Sequence, residues 1–138
     1  MGSKLSLRSR FYHGKRLLAQ ILCNPLLGSV IGRIYRDQIR SGHLTIDVHS
    51  CSVSPEIKAS IFWGFYERAE IRFIQQYLRN DLDVIELGSS LGVTSSHICK
   101  KLSASRQIIC VEANPFLIEI LARNVTALME KRGNIQTC

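Results

Sequence analysis

Apolar residues follow three rhythms along this chain. Leu17, Leu18, Ile21, Leu22, Leu26, Val30, Ile31, Ile34 and Tyr35 recur at near-helical spacing, with Gln20, Asn24, Ser29, Arg33 and Arg36 on other faces. This predicts an amphipathic helix or pair, and Pro25 and Gly28 are expected to break it into two. Residues 43 to 53 alternate, with Leu44, Ile46 and Val48 on one side and His43, Thr45, Asp47, His49 and Cys51 on the other, as a half-buried strand should. Near-continuous apolar runs at 83 to 87 and 107 to 112 read as strands, each ending beside an acidic residue. A helix is expected from Glu67 to Arg79, another between the two runs, and an incomplete third strand from Asn134 to Cys138. Strand, glycine turn, helix, strand is the order of an α/β fold.

The turn between those strands carries the candidate chemistry. The run Asp83-Val84-Ile85-Glu86-Leu87-Gly88-Ser89-Ser90-Leu91-Gly92 leads to Ile108-Ile109-Cys110-Val111-Glu112, a layout suited to a nucleoside-containing cofactor. A dinucleotide fingerprint beginning at Gly88 requires glycine at positions 90 and 93, which hold Ser90 and Val93, so NAD is disfavoured. A phosphate-cradling loop requires glycine and lysine at 93 and 94, where the chain has Val93 and Thr94.

What remains resembles motif I of the class I S-adenosylmethionine-dependent methyltransferases, acidic-x-Gly-x-x-x-Gly, here Glu86-Leu87-Gly88-Ser89-Ser90-Leu91-Gly92. Adenosylmethionine has no phosphate, so such a loop needs only small side chains and free N–H groups for the methionine carboxylate at a helix N-terminus. Glu112, twenty residues beyond Gly92, is the expected ribose ligand. Phe65-Tyr66-Glu67 and Glu112-Ala113-Asn114-Pro115 further resemble the FkbM family of methyltransferases over residues 55 to 138. That family usually has aspartate and asparagine in the turn where this chain has Glu86 and two serines. The resemblance implies a cofactor site of Glu67, Glu86, Gly88, Ser89, Ser90, Leu91, Gly92, Glu112, Ala113 and Asn114, with no catalytic residue assigned. It implies methyl transfer to a hydroxyl of a sugar, lipid-linked glycan or secondary metabolite.

On that reading the fold is a Rossmann-like methyltransferase sheet cut short after about three strands. A basic arm of residues 1–54, helical and then a short strand, precedes an incomplete cofactor domain at 55–138. In the family's order the first strand is central, so Val84, Ile85 and Leu87 are expected on an unpaired apolar edge. The chain is then the N-terminal part of an O-methyltransferase, truncated or one piece of a split protein. The alternatives are a non-catalytic nucleotide- or partner-binding module and a nonfunctional remnant.

Charge divides the chain. Residues 1 to 42 hold eight basic groups against the single acid Asp37, which is the entire net charge of +7, and the remainder is neutral. The arm is expected to act as a helical lid over the cofactor domain or as an interfacial segment on anionic membrane. Its apolar run is too short and interrupted to predict a span, and it has few interleaved aromatics and no recognition module for nucleic acid. Five cysteines without a C-x-x-C pair point to a reducing cytoplasm, and Cys110 reads as a core residue. Asp47, His49 and Cys51 are metal-ligand types, but the solvated face of an edge strand accounts for them and no metal is assigned. His97 is expected to be a partly exposed helix residue.

Overall fold

The computed structural model describes residues 19–130. The expected strand at 134–138 and Leu17 and Leu18 of the arm lie outside these residues. A helical stretch at residues 19–22 ends at Cys23, and Asn24 then caps helix α1, Pro25–Ile34, by accepting from Leu26 N at 2.8 Å, with Pro25 at the first helical position. Pro25 therefore starts a helix as well as breaking one. Gly28 breaks nothing. It lies buried inside α1, where an added Cβ would meet Pro55 O at 1.8 Å, so glycine lets α1 press against the next helix.

A hairpin follows, β1 at Gln38–Ser41 antiparallel to β2 at Leu44–Asp47, with Ser41 opposite Leu44. Gly42, at φ 59°, supplies the positive dihedral of its two-residue turn. Leu44, Ile46 and Val48 point inward as the alternation required, although the strand expected over 43 to 53 ends at Asp47, and Ile39 of β1 joins them in the core. Helix α2, Pro55–Phe62, repeats the capping device of α1: Ser54 accepts from Ile57 N and proline occupies the first turn. The main packing partner of α1 is α2, which also lies on β1.

Helix α3, Arg68–Tyr77, leads to β3, Val84–Leu87; helix α4, Val93–Lys101, crosses to β4, Ile108–Val111; helix α5, Pro115–Glu130, closes the described chain. Strands β3 and β4 pair in parallel, Val84 opposite Ile108 and Leu87 opposite Val111. Helix α4 packs against α3 and α5 and touches both β4 and β2. One cluster of buried side chains, including Ile31, Ile39, Ile46, Ile61, Leu91, Val93 and Ile120, draws on both sides of residue 54.

One expectation changes here and one is extended. His97 is buried, 8% exposed, and its Nε2 lies 3.1 Å from Ser41 Oγ, because α4 is enclosed on most of its circumference. Among the described residues β3 pairs only with β4, so its other edge is unpaired as expected, and Ile85 and Leu87, 67% and 79% exposed, also share an open face with Ile109 and Val111. A parallel sheet is ordinarily covered on both faces.

Candidate functional site

The glycine turn is drawn together from three directions. Gly88 N and Ser89 N both donate to Val111 O, at 2.8 and 3.1 Å, fastening the end of β3 to β4. Gly88, at φ 81°, has no heavy atom within 4 Å of where a Cβ would lie, so this side of the turn is open. Gly92, at φ 78°, closes the turn by donating to Ser89 O and starts α4. A Cβ there would sit 2.9 Å from Leu121 Cδ1 and 3.3 Å from Leu121 O, so glycine is needed both for its dihedral and for the approach of α5.

Three carboxylates surround this turn. Glu86, at the end of β3, is half-buried and accepts from Ser95 Oγ; burial pushes its pKa above the usual carboxylate range. Glu112 accepts from Ser90 N and Asn114 N, both at 2.7 Å, and these backbone N–H groups hold its pKa down. Each oxygen keeps a further lone pair for a hydroxyl donor. Glu67 accepts from Thr94 N at 3.2 Å and Thr94 Oγ1 at 2.6 Å, so it caps α4 from across the site. Among the described residues no lysine or arginine is hydrogen-bonded or ion-paired to any of the three.

Backbone strain marks the same place. Glu67 at φ 48° and Ser90 at φ 49° are non-glycine residues in the left-handed region, where each costs roughly 1–3 kcal/mol. Tyr66 spans them, its OH 3.0 Å from Ser90 Oγ, and burial raises its phenol pKa.

The sequence-predicted residues thus converge, with different tasks. Glu67, Glu86, Gly88, Ser90, Gly92 and Glu112 frame the turn. Ser89 is buried and donates to Glu86 O at 3.4 Å, and the side chain of Leu91 belongs to the core. Ala113 is exposed in the β4–α5 connection, and Asn114 caps α5 by accepting from Phe116 N at 3.1 Å. The expectation of free turn N–H groups is corrected at five positions. Those of Gly88, Ser89, Ser90, Gly92 and Thr94 all have partners within the chain, and the helix N-terminus expected to meet a ligand carboxylate holds Glu67 at Thr94 N. A motif shows where N–H groups cluster, but not which distant carboxylate reaches them first.

Sequence reasoning quoted Tyr66 in a motif without giving it a site role, and missed Thr94, Ser95 and above all Asn124. This buried side chain accepts from Asp47 N at 2.7 Å and donates to Asp47 O and Leu91 O at 2.9 and 2.8 Å, joining hairpin, α5 and turn. Hydroxyls in the first helical turn after Gly92 were a signal for Thr94 and Ser95; nothing local marks Asn124. On the polar side of β2, Asp47 pairs with Arg123 Nε at 3.0 Å, and no group of three metal-ligand side chains converges among the described residues. No protein-family model, curated protein or solved structure matches this chain.

Proposed function

We propose that this chain forms the cofactor-binding part of an S-adenosylmethionine-dependent methyltransferase, acting on a hydroxyl of a small molecule or glycan. The observation that carries this reading is the ring of Glu67, Glu86 and Glu112 around an open glycine turn, with no lysine or arginine paired to it among the described residues. A pyrophosphate would meet like charge there, whereas a nucleoside bearing sulfonium and ammonium groups would meet opposite charge. When bound, adenosylmethionine supplies an electrophilic methyl group. In this reading Glu112, held by two backbone N–H groups, accepts from the ribose hydroxyls, and Glu86 and Glu67 face the cationic amino-acid end. Gly88 leaves room for the ligand backbone. The residues themselves contribute binding and orientation, which is the main requirement for methyl transfer to oxygen.

Calorimetric titration tests this. Adenosylmethionine and adenosylhomocysteine are expected to bind and NAD is not, with Glu112→Ala weakening binding at least about tenfold, the loss of one charge-assisted hydrogen-bonding group. Binding of NAD in preference to adenosylmethionine overturns the reading. A second reading, a partner-binding module without catalysis, is favoured by the open apolar face of β3 and β4. It predicts no adenosylmethionine binding and unchanged partner capture in Glu112→Ala.

A further inference from the structure

Helix α1 has an apolar face turned the wrong way for a core. It packs Gly28, Ile31 and Gly32 inward, while Leu26, Val30 and Ile34 follow one another at i, i+4 and i+8 on a face exposed by 77%, 51% and 69%. Leu27, 41% exposed, extends the stripe.

Beside the stripe opens a cleft of about 510 Å³ whose lining includes Ser29, Gly32, Arg33, Arg36, His49 and Lys58. Arg33 follows Ser29 by one turn of α1, so it borders the stripe and the cleft together. The one acid in the lining, Asp37, is already engaged by Lys58 Nζ at 2.7 Å and His49 Nδ1 at 3.1 Å. Arg33 and Arg36 form no ion pair among the described residues. The turn that carries Arg36 is unusual, with Arg36 and Asp37 consecutive at φ 51° and 57°. A Cβ on Gly32 would lie 2.7 Å from Asp37 Oδ1, so a small residue there leaves room for the Asp37 carboxylate.

We propose that α1 and this cleft form a docking site for an anionic phospholipid bilayer. The ten-residue helix, about 15 Å long, lies in the interface with Leu26, Val30 and Ile34 among the acyl chains, and Arg33 and Arg36 meet lipid phosphates. The sequence of residues 1–18 brings five further basic residues and no acid to the same end of the chain. A symmetric contact between two copies would bring the unpaired arginines of each copy together, which charge repulsion opposes. The aliphatic centre of the patch offers no stacking platform for nucleic-acid bases. No helix among the described residues is long and apolar enough to cross a membrane, so the contact is with one leaflet. The proposal is independent of any cofactor.

The test is co-sedimentation of the full chain with vesicles of phosphatidylcholine alone and of phosphatidylcholine mixed with phosphatidylglycerol. Binding is expected to favour the anionic vesicles and to fall with added salt. The double variant Arg33→Glu, Arg36→Glu should lose at least about 30-fold in affinity for them, from two interfacial cations. Val30→Glu with Ile34→Glu should abolish binding, circular dichroism confirming that each variant remains folded. Equal binding to both vesicle types, or undiminished binding in either variant, overturns the proposal. So does a dimer in sedimentation velocity that Val30→Glu dissociates, since the stripe then belongs to a second copy.

Discussion

The hairpin β1–β2 and the strand pair β3–β4 are of equal length and carry similar aliphatic residues, yet they end in opposite circumstances. Ile39, Ile46 and Val48 are fully buried, whereas Ile85, Leu87, Ile109 and Val111 face solvent. The hairpin is antiparallel and asks for cover on one face only, which α2, α4 and α5 supply. The parallel pair needs cover on two faces. Helix α4 lies against it on one side while its opposite face stays open. The candidate site stands at the end of this less protected pair, and its turn is steadied by Asn124, which reaches from the turn to the hairpin. The well-packed region thus supports the residues proposed to bind ligand.

The sharpest way to break the comparison is a matched pair of truncations. Ile46→Ala should cost about 2–5 kcal/mol in urea unfolding, while Ile85→Ala on the open face should stay within about 0.5 kcal/mol. Equal costs would mean that the face of β3 is buried in solution. Next in size is Asn124→Ala, which leaves backbone groups of Asp47 and Leu91 without partners. We expect on the order of 3 kcal/mol of destabilisation together with weaker adenosylmethionine binding; intact ligand affinity would show that the turn stands without the hairpin.

Two smaller effects sharpen the picture. His97 joins α4 to Ser41 of the hairpin, and burial, helped by the charge of His43, lowers its pKa below the ordinary 6.5. The unfolded chain therefore binds the proton more readily. This stability contribution is present above pH 6.5 and is lost as pH falls through and below it. Denaturation curves between neutral and mildly acidic pH should show that decline, and His97→Gln should flatten it. Glu86 has the opposite sign, since burial raises its pKa and its ionisation opposes folding at neutral pH. Glu86→Gln can still accept from Ser95, so the fold should be as stable or slightly more so by thermal melting, while affinity for a cationic ligand falls.

The sequence by itself determined what neighbouring residues decide. Asn24-Pro25 and Ser54-Pro55 specify helix starts through a side chain and a ring only one or two residues from the bonds they affect. Alternation fixed the inward side of β2, and Gly88 and Gly92 marked a turn whose φ values glycine adopts without strain. The candidate cofactor loop was legible for the same reason, its defining residues lying within seven positions. Only the tertiary structure decided that Glu67 caps a helix 27 residues away, that Asn124 bonds Asp47 across 77 residues, and that His97 is buried beside Ser41. It also decided that Gly28 is a contact and that Leu26, Val30 and Ile34 face outward. Helical periodicity shows that a face is apolar, but what covers that face depends on elements distant in the chain, whose approach no local pattern encodes.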